Sequence, residues 1–177
     1  MERFRPNDPI DRIWLRQAYI HATRSCLYDQ LGALLVEDDA NSPVAAASNN
    51  LPLSVFCPED GLPEIVADFH ISNFIMSPVA KLISHCAGRG FAIESTTLYA
   101  PVFSHPQDAQ MVVNAGIKRV VIHKPIQDLY YEKTPVESKE IALLTLQQFK
   151  IEVVEFTEKV CNPQELTVRV NGAIHEP

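Results

Sequence analysis

Two helix starts, each followed by a short apolar run, lie within residues 77–121 and constrain the fold more than any other feature. Ser77-Pro78 has the form of an N-cap serine followed by proline at the first helical position. Residues 104–107, Ser-His-Pro-Gln, repeat that form with glutamine at the capping-box position. The apolar run 96–103 and the β-branched run 119–123 each predict a strand. This order of helix, strand, helix and strand predicts a sheet covered by helices.

The rest of the chain extends this alternation. Apolar spacing predicts helices over 9–27, 77–87 and 135–149, a hairpin of strands over 31–36 and 44–47, a strand over 151–156, and an edge strand over 166–170. Prolines at positions 52, 58 and 63 exclude a long helix in residues 51–76. We therefore expect an α/β layered domain over 9–160, a flexible N-terminal arm over 1–8, and a C-terminal tail over 161–177.

Charge and cysteine content narrow the class of protein. The net charge of −7 argues against a general nucleic-acid binder, because such proteins present a basic face to the phosphates. The four cysteines are widely spaced with no C-x-x-C pair, so we expect free thiols rather than a disulfide scaffold or a cysteine zinc site. The sequence shows no signal peptide pattern and no apolar run near the ~20 residues of a membrane span. We expect a cytoplasmic protein without membrane contact.

Several short motifs resemble those of the deoxycytidylate (dCMP) deaminase family, within the cytidine deaminase-like superfamily, over residues 9–156. They include Cys26 before Gly32-Ala33, the turn Asn49-Asn50-Leu51-Pro52, Tyr99, and the run from Ala115 to Val121. The resemblance implies a three-layer α-β-α domain with a mixed sheet of about five strands. It also implies a small nucleotide ligand and a homodimer or larger homo-oligomer.

The positions that carry the chemistry of that family differ in this chain. The family's zinc-ligating histidine falls on Ser77, its two zinc-ligating cysteines fall on His105 and Asp108, and its catalytic glutamate falls on Val79. A serine hydroxyl is a poor substitute for imidazole at zinc, and valine has no proton to transfer. We therefore expect no catalytic residue at Val79, degenerate metal positions at the other three, and no zinc cofactor.

These positions also have simpler structural explanations. Ser77 suits a helix cap, and Val79 suits an apolar first turn. Ser104 with Gln107 suits a capping box, which would leave His105 in the first turn and Asp108 near the positive end of the helix dipole. Alternatively, His105 and Asp108 lie three residues apart on one helix face and form a residual metal site.

Other polar residues have two open interpretations. Asn49 and Asn50 match the family's nucleotide-contacting asparagine turn, but asparagine is also common in turns. His70 is either a substitute metal ligand or a loop residue. Four basic residues, Lys81, Arg89, Lys118 and Arg119, are either phosphate contacts or ordinary surface charges.

Three functions remain open on the sequence alone. The first is a catalytically degenerate deaminase-like protein that binds a nucleotide or a protein partner without deaminating. The second is an active zinc-dependent nucleotide deaminase with an altered metal site, in which His105, Asp108 and His70 would converge. The third is a structural or regulatory subunit that oligomerises and has no ligand.

Overall fold

The computed structural model describes residues 7–38, 40–50, 75–103, 105–133, 135–162 and 165–177. Its helices are α1 (Pro9–Ala22), α2 (Pro78–Arg89), α3 (Pro106–Asn114), α4 (Lys124–Tyr131) and α5 (Val136–Gln148). Its strands are β1 (Gly32–Val36), β2 (Ala45–Ser48), β3 (Thr97–Tyr99), β4 (Arg119–His123), β5 (Glu152–Phe156), β6 (Val168–Val170) and β7 (Ala173–His175). The prediction for residues 51–76 falls almost entirely outside the described residues.

Five strands form a mixed sheet in the order β2-β1-β3-β4-β5. Strand β1 pairs antiparallel with both β2 and β3, whereas β3, β4 and β5 run parallel. The parallel pairing aligns Thr97 with Arg119 and Tyr99 with Val121, so the carboxyl ends of β3 and β4 meet at one edge of the sheet. The antiparallel hairpin followed by helix crossovers is the arrangement that the sequence predicts.

Helices cover both faces of the sheet and produce two apolar cores. One core joins α2, α3 and α5 to the sheet and includes Val79, Leu82, Val112 and Leu146. The other joins α1, α4 and β6 to the opposite face. The central strands β1, β3 and β4 are buried along their length, and most of their residues are apolar with little alternation, apart from buried polar residues at the ends of β3 and β4. The predicted three-layer α-β-α class with five strands is confirmed.

Two elements are shorter than the sequence predicts. Helix α1 ends at Ala22 rather than near Leu27, and the Thr23 hydroxyl donates to the carbonyl of Ile20 at 2.8 Å. Such side-chain bonds to nearby backbone groups compete with helix continuation. Strand β3 covers Thr97–Tyr99 rather than 96–103, because Pro101 has no N–H to donate to a ladder.

Two elements are absent from the sequence prediction. Helix α4 begins immediately after β4 with proline near its start, a position that proline favours. Strand β7 pairs antiparallel with β6 through Asn171 and Gly172, whose φ angles are 53° and 77°. Asn-Gly between two apolar runs is a strong hairpin signal, so the sequence contains the evidence for β7.

The cysteines differ in part from the expectation of free thiols. Cys86 and Cys161 are free and buried. Cys26 is disulfide-bonded, so the expectation is wrong for this residue. Separately, none of the helices in the described part of the chain is long and apolar enough to cross a membrane.

Candidate functional site

The start of α2 places a serine hydroxyl at one side of a surface cavity. Ser77 is the N-cap residue with φ −57° and ψ 152°, and Pro78 follows at the first helical position. The Ser77 hydroxyl accepts a hydrogen bond from the Ala80 amide at 3.0 Å. The cap that the sequence predicts at Ser77 is therefore confirmed.

The start of α3 differs from its prediction. The N-cap residue is His105, in extended conformation with φ −138°, and its side chain makes no capping hydrogen bond. The prediction that His105 lies in the first turn is wrong, and Ser104 lies outside the described residues. Proline accounts for the difference, because Pro106 occupies the first helical position and the residue before a proline prefers an extended conformation.

A short hydrogen bond joins the two helix starts. The Ser77 hydroxyl donates to Asp108 Oδ1 at 2.5 Å, and Asp108 is 2% exposed. Asp108 lies in the first turn of α3, where a carboxylate interacts favourably with the helix dipole. Two of the three positions at which the resemblance predicts degenerate metal ligands are thus joined by a hydrogen bond.

The cavity beside this bond has a volume of about 330 Å³. It is lined by residues from the segment before α2 and from the first turns of α2 and α3: Ile75, Met76, Ser77, Ala80, His105, Gln107 and Asp108. His105 and Gln107 are exposed, and Met76 is 48% exposed. The structure therefore brings Ser77, His105 and Asp108, the three predicted positions, to one cavity.

Helix α4 holds the segment that leads into α3. The Gln127 side chain accepts from the Phe103 amide at 2.7 Å and donates to the Phe103 carbonyl at 3.1 Å. The Tyr131 hydroxyl donates to the same carbonyl at 2.8 Å, and burial raises the pKa of Tyr131, so it remains a donor at neutral pH. The sequence pattern singles out neither residue, because it does not predict α4.

Val79 contributes to the core rather than to the cavity. Its side chain is fully buried among the apolar residues that join α2 to the sheet. A valine there packs well and offers no acid or base. Its position in the core agrees with the predicted role in packing.

The donor set does not fit a tetrahedral zinc site. Zinc in proteins binds thiolate, imidazole or carboxylate, and the Ser77 hydroxyl is none of these. His105 is the exposed N-cap residue of α3, whereas Asp108 in the first turn is buried, so the two side chains lie in different environments although both line the cavity. Among the described residues, no group of three His, Cys, Asp or Glu side chains is placed to hold a metal ion. His70, the predicted substitute ligand, lies outside the described part.

The two asparagines of the predicted turn lie in different environments, and only Asn50 is next to the cavity. Asn49 is 4% exposed, and its side chain accepts from the Leu31 amide at 2.8 Å and donates to the Asp29 carbonyl at 2.7 Å. These two hydrogen bonds join the loop before β1 to the residue that follows β2. Asn50 is half-buried and forms a backbone bridge with Met76, which places it next to the cavity.

The predicted phosphate contacts do not gather around this cavity. Arg119 is buried and binds Asp11 through two hydrogen bonds of 2.8 and 2.7 Å, so its interpretation as a surface charge is wrong. Lys118 forms an ion pair with Asp38. Lys81 donates to the Ser48 carbonyl at 3.3 Å, and Arg89 is exposed at the end of α2.

The sequence itself matches no protein-family model and no curated protein. The fold, in contrast, is similar to solved structures. One is the dCMP deaminase from the cyanophage S-TIM5 in apo form, with a TM-score of 0.61 and 19% identity over 84% of this chain and 99% of that chain. The structure of the same protein in complex with dCMP and dUMP has a TM-score of 0.60 and 20% identity, over 84% of this chain and 98% of that chain.

A third similar structure is RibD from Acinetobacter baumannii, with a TM-score of 0.52 and 19% identity over 82% of this chain and 34% of that chain. This chain therefore has the cytidine deaminase-like fold. At such identities the similarity concerns the fold, and function has to be argued from the site.

Proposed function

We propose that this protein is a catalytically degenerate member of the deaminase fold that binds a nucleotide beside α2 and α3 without deaminating it. The observation that carries the proposal is the hydrogen bond of 2.5 Å between Ser77 and Asp108. It directly joins two positions at which the resemblance places metal ligands. Asp108 Oδ1 is therefore already used in a contact within the protein.

The chemistry of hydrolytic deamination supports the same conclusion. In zinc deaminases the metal activates water, and a glutamate that is not a ligand transfers protons to and from the base. The resemblance places that glutamate at Val79, which is fully buried and has no proton to transfer. Loss of general acid–base catalysis alone costs about 10²–10⁴-fold in rate.

The surroundings of the cavity still suit a small polar ligand. Its volume of about 330 Å³ lies at the lower end of the range for small-molecule sites. The exposed His105 and Gln107 side chains offer hydrogen-bonding groups, and Met76 and Ala80 offer apolar surface. The S-TIM5 dCMP deaminase, which has a similar fold, has been solved in complex with dCMP and dUMP. We infer a pyrimidine nucleotide as the ligand class.

The first test measures chemistry. Purified protein is assayed for zinc by elemental analysis and for ammonia release from dCMP and other cytosine nucleotides. We expect substoichiometric zinc and no ammonia above the uncatalysed rate. Stoichiometric zinc with ammonia release proportional to protein concentration would contradict the proposal and support the active enzyme with an altered site.

The second test measures binding at the cavity. A nucleotide that binds the folded state raises the melting temperature. Ala80→Leu fills the cavity and should abolish that rise, whereas the matched control Ala87→Leu, exposed on the same helix, should retain it. A nucleotide shift that survives Ala80→Leu would place the ligand elsewhere.

A specific surface favours a second candidate, an oligomerising subunit with no ligand. Helix α5 exposes Ile141 by 52% and Leu144 by 56%, and Phe149 after it by 62%, beside the edge strand β5. If this face joins two copies, Leu144→Glu should reduce the molecular mass in sedimentation, whereas Gln147→Glu on the same helix should not. A wild-type monomer at all concentrations would exclude the homo-oligomer.

A further inference from the structure

A second cavity, of about 580 Å³, lies at the opposite end of the sheet from the candidate site. It is lined by Thr97 and Arg119, the paired first residues of β3 and β4, and by Val36, the last residue of the antiparallel β1. The candidate site instead lies beyond the carboxyl end of β3, at the start of α3. The two cavities are therefore separate.

Charged groups give this cavity a negative lining. Four carboxylates border it, those of Asp8, Asp11, Glu37 and Asp38, together with the guanidinium of Arg119. Asp11 and Arg119 are each 2% exposed and form the ion pair described above. Glu37 is exposed, and no ion pair of Glu37 occurs within the described ranges. Asp38 is paired with Lys118, so the excess negative charge of the lining comes from Asp8 and Glu37.

Apolar and aromatic groups complete the wall. Trp14 lies 6.4 Å from the Tyr99 ring between centroids, and both residues line the cavity. Ile10 and Ile13, also in the lining, are 60% and 57% exposed. These four side chains form an apolar surface next to the carboxylates. An indole ring attracts cations through its face more strongly than other aromatic side chains do.

We propose that this cavity binds a small organic cation with an apolar body, of the class of arylalkylamines. The ammonium group would be held by the carboxylates at the rim, with Glu37 the most available. The apolar body would pack against Trp14 and the two isoleucines. The protein's net charge of −7 also favours the approach of cations over anions.

Trp14 gives a direct measurement, because it is the sole tryptophan of the chain and lies in the cavity wall. Tryptophan fluorescence is followed while the full chain is titrated with phenethylamine. The matched compounds are 2-phenylethanol, which is neutral, and 3-phenylpropionate, which is an anion. We expect a saturable change with the amine and none with the other two at the same concentrations, up to about 10 mM.

Two glutamate variants test the role of charge. Glu37→Gln should weaken phenethylamine binding about two- to fivefold, the range expected for one exposed charge interaction. Glu140→Gln, an exposed glutamate on α5 outside the cavity lining, is the control and should not change it. The proposal would be overturned by an equal fluorescence response to all three compounds, or by no saturable response to phenethylamine. It would also be overturned if the two glutamate variants bound phenethylamine with equal affinity.

Discussion

The Ser77 hydroxyl makes two hydrogen bonds, one as acceptor from the Ala80 amide and one as donor to Asp108. The first is local and stabilises the start of α2. The second reaches across to the first turn of α3 and fixes the distance between the two helix starts. A single side chain therefore provides both a helix cap and a tertiary contact.

We predict that Ser77→Ala lowers the free energy of unfolding by about 2 kcal/mol. About 1 kcal/mol is the usual loss of a cap, and the remainder is the loss of a hydrogen bond to a buried carboxylate. Ser84→Ala, exposed in the interior of the same helix, is the matched control and should be neutral or slightly stabilising.

Urea denaturation of the Ser77 and Asp108 alanine variants and of the double variant separates the two contributions. On the Asp108→Ala background, Ser77→Ala should cost only the cap, about 1 kcal/mol. Strict additivity of the two single changes would contradict a direct interaction.

His123 illustrates a buried polar residue whose protonation is fixed by its partners. It is 2% exposed, and its Nε2–H donates to the Glu158 carbonyl at 3.0 Å. Its Nδ1 therefore accepts from the Tyr19 hydroxyl at 2.6 Å. Burial lowers the pKa of His123 from 6.5 to about 4. The hydrogen bond to the Glu158 carbonyl raises this pKa, but its effect is smaller than that of burial. The imidazole is neutral in the folded protein at physiological pH.

We predict that stability decreases as pH falls from about 6.5 to about 4. In this window the unfolded chain binds a proton at His123 that the folded chain does not, and the effect levels off below the folded-state pKa of about 4. Between pH 7 and 5 this group should lower the free energy of unfolding by about 2 kcal/mol.

The direct measurement is an NMR titration of the His123 ring. Its signal should not shift between pH 8 and about pH 5.5, in contrast to free imidazole in the same buffer. A transition of the His123 signal near pH 6.5 would contradict the buried neutral form.

At the scale of secondary-structure elements, α1 packs closely on β1 at Gly32. A Cβ atom added at Gly32 would lie 2.2 Å from the Ala18 carbonyl oxygen and 2.8 Å from the Ala22 amide nitrogen. Both are backbone atoms of α1, which cannot move aside without shifting the helix. The glycine is therefore required by the approach of the helix rather than by its own backbone conformation.

We predict opposite effects for two glycine-to-alanine changes. Gly32→Ala should lower the free energy of unfolding by about 2 kcal/mol or more, because it forces α1 away from β1. Gly88→Ala, in α2 with open space around the added Cβ, should raise it by roughly 0.5–1 kcal/mol, because alanine favours the helix. Thermal unfolding of both variants checks the pair, and destabilisation by Gly88→Ala would contradict the open environment.

The elements that the sequence predicts well are those that one strong local signal defines. Strand β4 has the predicted bounds because five buried residues follow one another without a breaker. Helix α2 starts at the predicted serine and proline, and Gly90 ends it in the left-handed region with φ 70°. Helix α4 lacked such a signal, because it follows β4 without an intervening loop.

The candidate site was predictable in its positions but not in its contacts. Spacing and resemblance select Ser77, His105 and Asp108, and all three line one cavity. The bond between Ser77 and Asp108 depends on how two helices pack, which no sequence pattern specifies. The support of Phe103 by Gln127 and Tyr131 likewise depends on tertiary placement of α4.

At the scale of the whole molecule, the cytidine deaminase-like fold supplies a frame whose two sheet ends differ in chemistry. One end presents the cavity beside α2 and α3, with hydrogen-bonding groups and a buried carboxylate. The other presents a larger cavity with acidic and aromatic lining. The fold alone does not determine the function of either end, so each needs its own ligand test.

The central claim is that the protein binds a pyrimidine nucleotide and leaves it chemically unchanged. Saturation-transfer NMR on a mixture of the protein with excess dCMP reports both properties in one spectrum. We predict transfer of saturation to the dCMP protons, its loss in Ala80→Leu, and no dUMP signals after prolonged incubation. Growth of dUMP signals in proportion to protein concentration would contradict the claim, as would the absence of saturation transfer to dCMP and to every other pyrimidine nucleotide tested.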